Sequence, residues 1–167
     1  MKRILEGIQV TVIVSVFVVL VGCVSWQVIT RYALGVPSTV TDEIARFLFI
    51  WLALIGGAYT YGQGRHLAID VIPMMMTGRA RLIIEACITL LVASFALFVM
   101  IWGGYQLVSR TLDAGQISPS LQIPMGLVYL AIPFAGVVIL AYAVVALIEL
   151  ARGRLPMQLI NDAPPVE

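Results

Sequence analysis

Residues 38–72 read STVTDEIARFLFIWLALIGGAYTYGQGRHLAIDVI, and the fold turns on what this stretch is. Asp42 and Glu43 open it, Arg46 follows one turn later, eighteen uncharged residues run from Phe47 to Gly64, and Arg65-His66 close it. At about 1.5 Å rise per residue, a run of that length reaches most of the way across a hydrocarbon core of about 30 Å. The charges at its ends then mark where it emerges into the headgroups. The stretch predicts a membrane-spanning helix with two chemically different ends, and three further apolar runs repeat the pattern more plainly.

The composition agrees. Of the residues, 61% are hydrophobic and 11% charged, against about a quarter charged in soluble domains. The mean hydropathy is +1.03. A water-soluble core could not absorb that much apolar surface, so lipid must solvate most of it. A net charge of +1 carries no nucleic-acid signal. The fold class is an all-α integral membrane protein of four transmembrane helices, with spans near 8–30, 44–63, 84–108 and 124–148. These form one domain, 1–154, followed by a polar, flexible cytoplasmic tail, 155–167.

The first run, between Glu6 and Arg31, holds twenty-four residues. Leu20-Val21-Gly22-Cys23 matches a lipoprotein cleavage pattern, but a signal-peptide core is about 7–15 residues long and this run continues well past Cys23. The third run, between Arg81 and Arg110, holds twenty-eight and exceeds the bilayer core, so it must tilt or emerge. The fourth opens at Pro124, where a missing N–H costs nothing, and Pro133 inside it predicts a kink. Cys23 and Cys87 sit in separate runs and are expected to be buried free thiols.

Orientation follows the basic residues. Lys2, Arg3, Arg65, Arg79, Arg81, Arg152 and Arg154 fall on one side, and Arg31, Arg46 and Arg110 on the other. Seven against three puts the N terminus, the middle loop and the C terminus in the cytoplasm. The loops 31–41 and 110–123 then face out.

Asp42, Glu43 and Arg46 form the densest polar cluster near a membrane boundary. Thr39 or Thr41 can cap the helix, the acids complement its dipole, and Arg46 can pair with Asp42 at i,i+4 or Glu43 at i,i+3. A capped, self-neutralised helix start accounts for the acids; a partner-facing cluster accounts for Arg46 as well. His66 and Asp70 would share a face if that turn were helical, as an interfacial pair without a third metal ligand nearby. Glu85, one turn from Arg81, reads as half of a salt bridge. Ala53, Gly56, Gly57, Ala58 and Gly103-Gly104 would let helices approach closely in lipid. No nucleophile–base pair, phosphate loop or metal-ligand cluster appears, so neither a catalytic function nor a cofactor is expected. Almost no polar group lies mid-membrane, which makes a poor solute pathway and suits a scaffold on a larger partner.

Three segments carry a resemblance: TDEIARFLFIWLALIGGA at 41–58, GRHLAID at 64–70 and SPSLQIPMGLVYLAIP at 118–133, with Arg31-Tyr32 closing the first span. Their order and spacing resemble the small permease (Q-type) subunit of tripartite ATP-independent periplasmic (TRAP) transporters. The resemblance implies a small inner-membrane subunit that scaffolds a large permease subunit and helps dock a periplasmic receptor. It also implies sodium-coupled uptake of an organic acid, with substrate and sodium sites in the other two proteins. Arg31, Asp42, Glu43 and Arg46 would serve the outer surface, and His66 and Asp70 the cytoplasmic turn. Two other readings remain open on the residues alone: a membrane adaptor or anchor for another complex, and a self-sufficient small oligomeric exporter.

Overall fold

The computed structural model describes residues 2–36, 38–63 and 79–152. Helix α1 runs Lys2–Tyr32 and α2 Thr39–Gly62. Helix α3, Arg79–Phe95, continues through a π-helical segment, Ala96–Gly103, into α4, Gly104–Asp113. Two further helices, α5 (Met125–Tyr129) and α6 (Ala131–Ala151), complete the described chain. The four stretches long and apolar enough to span a bilayer are Gln9–Tyr32, Thr39–Gly62, Ala80–Asp113 and Met125–Ala151. The all-α, four-span architecture is therefore as the sequence predicts.

Helix α6 takes the middle of the bundle, with α2 packed along one side and α3 with the π segment along the other. Helix α1 leans on α2. Small residues set these approaches. A Cβ on Gly136 would lie 2.7 Å from Met100 Cβ and 3.3 Å from the Ala96 carbonyl oxygen, so α6 crosses the π segment closer than any side chain allows. A Cβ on Gly62 would lie 2.6 Å from the Tyr142 ring. Of the glycines expected to do this, Gly104 does, since a Cβ there would lie 2.9 Å from Pro133 Cδ, whereas Gly56 and Gly57 face open space, and their neighbour Ala58 is buried.

The interruption that accompanies Pro133 falls one turn earlier, at Leu130, between α5 and α6. Proline has no N–H for the Tyr129 carbonyl, and its ring crowds that same carbonyl. The flanking bonds survive, from Leu130 N–H to Gly126 at 3.1 Å and from Phe134 N–H to Leu130 at 3.1 Å, so the chain bends without ending. The π-helical turns of the third span, whose N–H groups bond five residues back, have no counterpart in the sequence reading. Both cysteines are free, as expected, but Cys87 is exposed on the outer face of α3 and Cys23 only partly covered. In a membrane protein an apolar thiol can face lipid, so burial inside the bundle is not required of it.

Candidate docking surface

The polar cluster at the start of α2 divides between two tasks. Ser38, one residue ahead of the threonines considered as caps, accepts the Thr41 N–H at 3.5 Å and is the N-cap. Asp42 is held from both sides: the Gln27 amide of α1 donates to Oδ1 at 2.8 Å, and Arg46 donates to Oδ2 at 2.6 Å. The ion pair is exposed, with 68% of the Arg46 side chain and 44% of the Asp42 side chain accessible. Such pairs contribute about 0–1 kcal/mol, so stability alone does not explain it.

Glu43 points elsewhere. One position along a helix turns about 100°, which carries Glu43 from the exposed face to the bundle, where it is buried. Its Oε2 accepts the backbone N–H groups of Ser120 at 3.0 Å and Leu121 at 2.8 Å. The i,i+3 option with Arg46 is thus not the contact it makes.

The loop that Glu43 grips is closed by its own chemistry. Helix α4 is closed just past its end by Gly115, whose left-handed φ of +61° suits a glycine. Gln116 N–H reaches the Thr111 carbonyl and Gly115 N–H the Leu112 carbonyl, the paired bonds of a Schellman cap. Ile117 then bridges Pro124 in antiparallel fashion, and Met125 N–H returns to the Gln116 carbonyl. Ser118 is fully buried and its hydroxyl accepts the Ile123 N–H at 3.3 Å. Gln122 takes a φ of +55°. The turn between Ser118 and Ile123 therefore presents two adjacent N–H groups to one carboxylate.

Arg31 stands apart from these contacts, exposed, with its guanidinium 6.0 Å from the Tyr32 ring centre. Tyr32, Leu34, Val36 and Ile117 are exposed at the same end of the bundle. His66 and Asp70 lie outside the described residues, as does the tail after Arg152. Glu85 is buried, and its carbonyl accepts the Thr89 hydroxyl at 2.8 Å. Among the described residues no three His, Cys, Asp or Glu side chains converge as a metal site would need. This end carries Asp42, Arg46 and Arg31 exposed, with the 114–124 loop beside them. Gln27, Ser118 and the 120–121 amides went unrecognised in the sequence. Only the amide of Gln27, one of two in its apolar run, could have flagged any of them.

At the other end Tyr142 of α6 donates to the Gln9 side chain of α1 at 2.9 Å. Running from this bridge toward the middle of α2 is a cavity of about 490 Å³. Leu48, Trp51, Ile55 and Ala58, one face of α2 at helical spacing, form its floor. Gln9, Val12 and Val16 of α1 make one wall, and Phe134, Ala135 and Val138 of α6 the other. The Trp51 and Phe134 rings meet with centres 6.1 Å apart.

Residues 20–153 match the family model of tripartite ATP-independent periplasmic transporters, DctQ component. A TRAP transporter small permease protein of Haemophilus influenzae is 27% identical over 138 residues, covering 81% of this chain and 83% of that one. The sialic acid TRAP transporter small permease protein SiaQ of Vibrio cholerae is 30% identical over 112 residues, 66% of this chain and 63% of that one. The isethionate TRAP transporter permease protein DctMQ of Oleidesulfovibrio alaskensis is 28% identical over 97 residues, 56% of this chain but only 14% of a far longer polypeptide. With a family match over most of its length and four apolar helices to carry it, the chain belongs to the DctQ component of TRAP transporters, as a small permease subunit and a multi-pass protein of the bacterial inner membrane.

Proposed function

We propose that this subunit scaffolds a large TRAP permease subunit and helps dock a periplasmic receptor, in a transporter coupling sodium entry to uptake of an organic acid. The end bearing Asp42 and the 114–124 loop faces the periplasm, and both termini are cytoplasmic. Substrate and sodium bind in the other two proteins. The observation that carries this reading is the placement of polar contacts. Side-chain bonds tie one helix or loop to another near the ends of the spans, at Gln27–Asp42, Glu43–Ser120/Leu121 and Tyr142–Gln9. Between them the described spans present mainly apolar side chains to their surroundings. A polar solute would find few partners there, whereas a large apolar protein would find many. The DctMQ relative, where the matching stretch is a small part of one long permease chain, supports a permanently attached large partner.

Arg31, Asp42 and Arg46 face the receptor or the junction with the large subunit, and Glu43 serves that surface through the loop it holds. Domain 1–154 carries these contacts, and His66 and Asp70 order the cytoplasmic turn. The test is sodium-driven uptake of a panel of organic acids by vesicles holding both membrane subunits, with receptor added. Asp42→Lys should lower uptake at a given receptor concentration while the two membrane subunits still co-purify; unchanged uptake overturns the docking role. His66→Ala should lower the yield of assembled complex rather than substrate affinity. Co-purification with an unrelated partner would favour an adaptor, and transport by this chain alone a self-sufficient exporter.

A further inference from the structure

We propose that the groove between α1, α2 and α6 is a binding site for one acyl chain of a membrane phospholipid. It lies wholly within the membrane-spanning segments. From Ala58 to Leu48 its floor covers ten residues, about 15 Å along a helix and half of a hydrocarbon core of about 30 Å. The site is therefore one leaflet deep. Val12 and Phe134 on its walls are exposed, so it opens sideways into the bilayer.

Its chemistry selects the occupant. The polar groups of the lining are the Gln9 amide, whose oxygen already accepts from Tyr142, and the single N–H of the Trp51 indole. An internal water needs about two to four polar partners, and the aliphatic and phenyl side chains that make up the rest of the groove offer none. Left empty, the lining would forfeit its dispersion contacts on that side, while hydrocarbon chains surround it as solvent. Charge points the same way. The end marked by Gln9 is also the end where α6 finishes at Ala151, followed by Arg152, which is exposed. A lipid whose chain follows α2 inward from Gln9 would carry its phosphate toward that cation and its ester carbonyls to the level of the Gln9 amide. The occupant fills the gap that keeps α1 from packing along α6, and so acts as part of the fold.

Trp51 in the floor is the reporter. With Trp26 and Trp102, both exposed, replaced by phenylalanine, the full chain is placed in vesicles of phosphatidylcholine brominated along its acyl chains. Trp51 fluorescence should be strongly quenched. Filling the groove from one wall with Val12→Phe and Val16→Phe, or independently from the other with Val138→Phe, should abolish most of that quenching. Equal quenching in a folded filled variant, judged by unchanged helical circular dichroism, overturns the proposal. In native mass spectrometry, the complex with the large subunit should carry one phospholipid fewer per copy when the groove is filled. An equal count would mean that the partner protein occupies the groove, and that too overturns it.

Discussion

Glu43 of α2 and Leu121 of the loop after α4 stand 78 positions apart in the chain, yet the Glu43 carboxylate accepts the Leu121 N–H at 2.8 Å. The same oxygen accepts the Ser120 N–H at 3.0 Å. One side chain thus ties the 114–124 loop to the start of α2. Removing it as Glu43→Ala leaves two donors without their acceptor and should cost about 1–3 kcal/mol. Hydrogen exchange at residues 120 and 121 is the measurement: the amides should exchange faster in Glu43→Ala and only modestly faster in Glu43→Gln, which keeps an acceptor oxygen. Unchanged protection would mean that the Ser118–Ile123 closure suffices by itself.

The Gln27–Asp42 bond ties α1 to α2 where few other polar contacts do. Interhelical hydrogen bonds in membrane proteins average about 0.6 kcal/mol by double-mutant cycles. Gln27→Leu should therefore lower thermal stability only slightly. A cycle with Asp42→Ala, which removes the acceptor, should return a coupling of that order, while Arg46→Gln should show no coupling to Gln27→Leu beyond what Asp42 transmits.

Two glycines on neighbouring helices should answer oppositely to the same change. At Gly136 an added Cβ meets Met100 Cβ at 2.7 Å, so Gly136→Ala overpacks the α6 crossing and should cost about 1–3 kcal/mol. Trimming Met100 to alanine cannot relieve this, because the clash is with its Cβ. Gly57 has nothing within 4 Å, so Gly57→Ala should leave the isolated chain as stable as before, or more stable by up to about 1 kcal/mol. If the same change lowers the yield of complex with the large subunit, the partner packs against that face. Thermal unfolding and co-purification yields decide both.

The proposed orientation predicts thiol accessibility. In a background with Cys23→Ala and Cys87→Ala, Ser120→Cys should react with a membrane-impermeant maleimide from the periplasmic side, and Arg152→Cys only after lysis. Ser120 and Arg152 are both exposed, so the reverse pattern would invert the topology.

Most of the architecture was present in the chain itself. Run length, terminal charges and the basic-residue bias are local quantities, and bilayer thickness converts them into four spans and an expected orientation. The pairing of Asp42 with Arg46 was equally legible, because i,i+4 neighbours meet on any helix. The tertiary structure decided what local spacing leaves open. It added Gly62 and Gly136 to the expected Gly104 in close packing and left Gly56 and Gly57 open, gave Glu43 a loop rather than Arg46 as its partner, and wound the third span through a π segment. It also opened the groove over Trp51. Each of these depends on which helix face meets which neighbour. A backbone N–H such as that of Leu121 has no residue-specific signature, so only the folded chain could bring it to Glu43.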